Sequence, residues 1–111
     1  MAVDEHESGT KTLDGSEQTL NTTSPETSNG VIQIWIDAAA MAKDDVVEIR
    51  LKEKVISGGT QRLVEKWVIA NDQGKDGWVS PSFILLHGWD VTAKRTAGSI
   101  TSLPWSLRKV S

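Results

Sequence analysis

Apolar and polar residues alternate along most of this chain. In "GVIQIWIDA", Ile32, Ile34 and Ile36 fall on one face and Gln33 and Trp35 on the other, the period-two mark of a half-buried strand. "VVEIRLKEKVI" repeats the pattern, with Val47, Ile49, Leu51 and Val55 on one side, Glu48, Arg50, Lys52 and Lys54 on the other, and Glu53 interrupting the apolar row. Burying four unpaired ions would be prohibitive, so that charged face is expected in water or against a charged partner. "RLVEKWVIA" reads as a strand with two competing inward rows, Leu63/Trp67/Ile69 or Val64/Val68/Ala70. In "WVSPSFILLH" Pro81 demands an edge or a bulge. "WDVTAKRT" turns Trp89, Val91 and Ala93 inward, and "SLPWSLRKV" puts Leu103, Trp105 and Leu107 on one side.

The links between these runs are short and polar. "EKVISGGTQRLVEKW" raises the question of whether Gly58-Gly59 cradles a phosphate. A phosphate loop joins a strand to a helix with fixed glycine spacing. Here the glycines join two strands and match neither spacing, so they are expected to turn a hairpin, where both can take positive φ. Residues 71–77 read as an open loop. "DAAAMAKDD" offers an Asp37 cap and predicts one short helical turn near 38–43. Seven or eight short strands at intervals of roughly ten residues predict an all-β protein. Its apolar faces require a two-layer antiparallel β-sandwich, jelly-roll-like, in place of one flat sheet.

Residues 1–30 differ from the rest. They carry six acids and one lysine, a net of −5, against +2 for residues 31–111. The composition resembles a polar, acidic arm ahead of a 31–111 sandwich domain. Leu13 and Leu20 stand isolated within it. Asp14-Gly15 is a hairpin-like turn signal, and one short strand is expected from Glu17 to Thr22. Something must pin so polar an arm, either the chain's own sheet or a neighbouring molecule.

The remaining composition narrows the chemistry. The 111 residues include no cysteine, which excludes disulfides, thiolate metal sites and thiol nucleophiles. The two histidines, His6 and His87, lie far apart and neither has a partner at metal-ligand spacing. His87 and Asp90 flank a turn, which explains both without catalysis. Asp44-Asp45 is the one adjacent acid pair, and turn chemistry accounts for it. No serine lies in a nucleophile elbow, and no EF-hand spacing occurs. A non-enzyme without cofactor or metal is expected. The nearly neutral body offers no basic field for nucleic acid, no apolar run is long enough for a membrane span, and the acidic opening "MAVDEHESGT" predicts no secretory signal.

Five tryptophans, with one phenylalanine and no tyrosine, are the most informative residues. Trp67, Trp89 and Trp105 are expected in the core. Trp35, opposite the isoleucine row, and Trp78, after a polar loop, are expected at an interface, where rigid indoles serve well. The arm supplies a second candidate surface: Glu17, Thr19 and Leu20, on a strand that could add to a neighbour's sheet edge. An alternative use of Trp35 and Trp78 is a stacking platform for sugar rings.

The run from "GVIQIWIDAAAMAKDDVVEIRLKEKVISGGTQRLVEKW" to "TAKRTAGSITSLPWSLRKV" resembles a group of small virion proteins of tailed bacteriophages. The shared features are an Asp-led turn, a "VEIR" strand, an "SGGTQR" hairpin and a closing "P-W", spanning roughly Gly30 to Val110. The resemblance implies a β-sandwich made in the host cytoplasm and carried on the head surface as a capsid decoration or cement protein. Its expected partner is the major capsid protein, and it would sit as a homo-oligomer on the particle. A tail or head–tail connector role is the alternative within that group, and a carbohydrate-binding module for host adhesion is the alternative outside it.

Overall fold

The computed structural model describes residues 3–70 and 76–110. Its nine strands are β1 (Val3–Thr12), β2 (Gln18–Thr19), β3 (Gly30–Asp37), β4 (Val46–Lys54), β5 (Gln61–Ala70), β6 (Gly77–Val79), β7 (Phe83–Leu85), β8 (Trp89–Ala97) and β9 (Ser102–Val110). A five-stranded sheet has the order β1-β9-β3-β6, with β7 also on β3, and a four-stranded sheet has the order β2-β8-β4-β5. Every pairing is antiparallel. With β6 and β7 counted as one strand broken around Pro81, the eight strands have the order of a jelly roll, the chain changing sheet at every connection except the β4–β5 hairpin. The expected two-layer β-sandwich is the fold found.

The alternation read from the sequence points where it should. Ile34 lies opposite Leu107 and Ile36 opposite Trp105 in one sheet. Ile49 lies opposite Ala93, and Leu51 opposite Val91, in the other. These rows meet between the layers, where Ile32, Ile34, Val47, Ile49, Val91 and Leu107 are fully buried. Each large side chain removed from water there contributes about 1.5–3 kcal/mol before entropy is counted. Trp89 is also fully buried, and its indole N–H donates to the Ser28 carbonyl at 2.7 Å, so its one polar atom is satisfied.

Several expectations are corrected. The short strand expected between Glu17 and Thr22 is present as β2, but the arm is not a loose leader and holds a second, longer strand, β1. Residues 3–12 pair with β9 along its whole length, and Leu13 and Leu20 are core residues at 1% and 2% exposure. Of the two ways to pin the arm, the chain's own sheets provide it. The Asn21 side chain adds to this, accepting from Val91 N at 2.8 Å and donating to Asp90 at 2.8 Å. The helical turn near 38–43 is absent. Two successive β-turns stand there, closed by Met41 N to Ala38 O and Asp45 N to Ala42 O. Asp37 does cap the first, accepting from Ala39 N at 3.0 Å. Val55 lies beyond the end of β4 and is exposed, and Leu63, a member of one candidate inward row, is exposed too. In the β4–β5 hairpin only Gly58 takes positive φ, at 78°. The expected open loop at 71–77 lies mostly outside the described residues.

Asp45 shows how turn chemistry ties two turns together at one end of the slab. Its buried carboxylate accepts N–H bonds from Ala42 at 2.6 Å, Ser99 at 2.6 Å and Ile100 at 3.2 Å. Those amides, Ala42 first, hold its pKa below the ordinary aspartate value against the opposing effect of burial. Gly98 makes the approach possible: its φ is +87°, and a Cβ there would stand 2.0 Å from Asp45 Oδ1.

Candidate functional site

A sandwich without closure has four sheet edges, and each exposes backbone donors and acceptors that can recruit another strand. Three of the four are either short or almost wholly polar. The β1 edge is polar, with Asp4, Glu5, Ser8, Thr10 and Thr12 exposed, and a bulge interrupts its register between Glu5 and Glu7. The β2 edge is two residues long. The β6/β7 edge consists of two three-residue pieces. Between them Ser80 fills the gap, its hydroxyl accepting from Ile34 N at 2.9 Å and its own N–H reaching Ile34 O at 2.9 Å, while Pro81 has no N–H to offer.

The fourth edge, β5, is ten residues long and ends the four-stranded sheet. Among the described residues no strand pairs with its outer side. Leu63, Val64 and Val68 are 51%, 44% and 57% exposed along it. The register with β4 places Val68 opposite Glu48 and Leu63 opposite Lys52, so both lie on the outward, charged face. Toward the other sheet, Val64, Trp67, Phe83 and Ile84 line a cleft of about 260 Å³ between β5 and β7. Ile84 is 79% exposed at its rim. Trp67 stacks on Phe83, with ring centroids 5.8 Å apart and planes at 20°.

The sequence-predicted site residues do not come together. Trp78 lies opposite Ile36, so it faces the interior, where it packs against Trp67 with centroids 5.7 Å apart. Trp35 lies opposite Val79 and Ser106 and faces outward over a groove of about 440 Å³ that also involves Asp37, Asp76 and Arg108. Its ring is already covered by the Arg108 guanidinium, 3.9 Å from the centroid, and its N–H donates to Gln33 at 3.0 Å. The two indoles therefore occupy opposite faces of one sheet and form no shared platform for sugars. Leu20 is in the core, which corrects its assignment to a partner surface.

Thr19 is half-buried in β2 and pairs with Thr92 of β8. Glu17 is spent within the chain. It meets Lys52 at 2.7 Å and Arg50 at 3.3 Å, and it accepts the Thr92 hydroxyl. Burial opposes its ionisation, but Lys52 and Thr92 hold its pKa below the ordinary glutamate value. Arg50 also pairs with Glu48, so Glu48, Arg50 and Lys52 of the charged face of β4 all have ion-pair partners. Asp90 is held by Asn21 and by Gln61 at 2.9 Å. The His87 backbone N–H donates to Glu53 at 2.8 Å, and Glu53, the residue that broke the apolar row of β4, thereby holds the turn before β8.

No motif in the sequence marks the β5 edge. Its signal is ambiguity between two apolar rows, and the bulge at Val64 switches the strand's parity, so Leu63 from one row and Val68 from the other both end outside. No family model, curated protein or solved structure matches the chain.

Proposed function

We propose that this protein is a structural component of a tailed-phage virion: a decoration protein on the outer face of the head that grips the major capsid protein through the β5 edge. The observation that carries the reading is that β5, alone among the four edges, is both long and lined by several exposed branched apolar side chains, Leu63, Val64 and Val68, with Arg62, Glu65 and Lys66 and a bulge at Val64 set among them. The sequence resemblance to small phage virion proteins supplies the virion context, and jelly rolls are a common architecture of capsid proteins and lectins, although a fold alone does not specify a function.

An extended segment of a shell subunit added to β5 would gain main-chain hydrogen bonds from the free edge. Its alternate side chains would meet Leu63 and Val68 on one face and the cleft beside Val64 on the other. Many copies bound to a closed lattice resist release even where each contact is weak. A ligand that binds the assembled shell and not its separated subunits stabilises the shell by linkage. The sugar-binding alternative loses support from the separation of Trp35 and Trp78.

The test uses purified heads stripped of the protein. Wild-type protein should co-sediment with them at a copy number proportional to the shell subunits. Protein carrying Val64→Lys and Val68→Lys should stay in the supernatant while keeping its circular dichroism and melting profile. A wild-type copy number matching a single ring would place the protein at the connector instead. Co-sedimentation of the double variant at wild-type occupancy would refute the edge as the grip.

A further inference from the structure

We infer that His6, Glu7 and Glu26 form a site for a divalent transition-metal ion of the Zn²⁺ type, which clips β1 to the segment that leads into β3. One donor atom from each of the three residues lies within 4.8 Å of the other two, and all three side chains are half-buried.

The backbone explains how two consecutive residues reach one site. In a regular strand His6 and Glu7 would point to opposite faces. The β1–β9 register instead runs from Glu5 opposite Arg108 to Glu7 opposite Leu107, leaving His6 as the extra residue. A bulge of this kind re-aims a side chain, and consistent with that His6 and Glu7 are both partly buried, interrupting an exposed run. Glu26 arrives from the other side, where its backbone forms an isolated bridge with Trp89.

The donor set is prepared for an ion. His6 Nε2 meets Glu26 Oε2 at 3.2 Å in a direct hydrogen bond, a separation close to the edge of roughly 3.3 Å that two ligands at ordinary zinc distances subtend in a tetrahedron, so an ion would replace the shared proton with little movement. Glu26 is oriented through its other oxygen, which accepts N–H bonds from Thr27 and Ser28, both at 3.0 Å. Glu7 is oriented by Thr22, whose N–H reaches Oε2 at 3.0 Å and whose hydroxyl reaches it at 2.5 Å. Oε1 of Glu7 keeps only a longer 3.3 Å contact with the same N–H. Outer partners that hold carboxylate ligands in place are the usual second layer of a metal centre. A small rotation of Glu7 completes three protein ligands, with water in the remaining position. One imidazole and two carboxylates select Zn²⁺ and its transition-metal neighbours over Mg²⁺, which prefers oxygen ligands alone. The ligand spacing was invisible in the sequence because position 26 is brought to positions 6 and 7 only by the crossing between sheets.

Titration calorimetry with ZnCl₂ on the full chain tests this. Wild type should bind one equivalent and melt at a temperature that rises with Zn²⁺ concentration, as a ligand specific to the folded state requires. His6→Ala should lose both effects, His87→Ala should keep both, and Thr22→Val should weaken binding by about tenfold. Circular dichroism of each variant without metal checks that the fold is retained. The absence of saturable binding to wild type, equal binding by His6→Ala and wild type, or Mg²⁺ binding as tight as Zn²⁺ would each overturn the site.

Discussion

β1 and β5 are both ten-residue edge strands, one at the end of each sheet, and they differ in what they expose. Both are bulged and both expose charges, but β1 exposes Val3 as its one large apolar side chain, while β5 exposes Leu63, Val64 and Val68 beside an aromatic cleft. A free edge costs little when it repels strands and becomes a hazard when it attracts them. The pair thus separates an edge that only completes the fold from one suited to holding something else. β1 also anchors the residues C-terminal to it, where Leu13 and Leu20 drop into the core.

That difference can be tested from its largest effect downward. Deleting residues 1–25 should abolish cooperative thermal unfolding, since it uncovers β9 and removes Leu13, Leu20 and Asn21 together. A truncated protein that still melts cooperatively near the wild-type temperature would show the first strand to be dispensable. Leu20→Ala alone should destabilise by about 2–5 kcal/mol, the usual range for a buried leucine.

An intermediate effect belongs to the frame and leaves β5 alone. Asp45 has a pKa in the folded state below its unfolded value, so its stabilisation is complete above the unfolded value and is lost as pH falls through the folded one. Asp45→Asn should therefore melt below wild type at neutral pH, and the gap should close as pH drops below the ordinary aspartate value of 3.8. A gap that is independent of pH would mean that the ionised carboxylate is not what ties the β3–β4 turn to the β8–β9 turn. The smallest effect on stability should come from the strand assigned to adhesion. Val68→Lys on exposed β5 should shift stability by no more than about 0.5 kcal/mol, in contrast to its loss of binding.

The sandwich was legible where a strand has one wet and one dry face. The rows Ile32/Ile34/Ile36, Val47/Ile49/Leu51 and Leu103/Trp105/Leu107 point inward as the alternation requires. It was illegible in β1, because that strand inserts almost no apolar side chain of its own. Gly9 lies opposite Trp105, and a Cβ there would come within 3.5 Å of the Trp105 indole, so the ring of β9 covers a position where β1 has no side chain. Pairing of that kind depends on backbone hydrogen bonds and leaves no periodic trace in the residues. Trp78 misled for a related reason. A polar loop before it suggested exposure, but the strand parity that turns it inward comes from its pairing with Ile36. Trp35 faces outward as the parity of β3 predicts, yet Arg108, from the far end of the chain, covers its ring.

Hydrogen exchange measured by mass spectrometry on the free protein and on the protein bound to heads tests the central claim most directly. The account predicts that peptides spanning Gln61–Ala70 gain protection on binding while those spanning Val3–Thr12 do not change. Protection confined to the β1 edge or to the Trp35 groove, with β5 exchanging as fast as in the free protein, would contradict it.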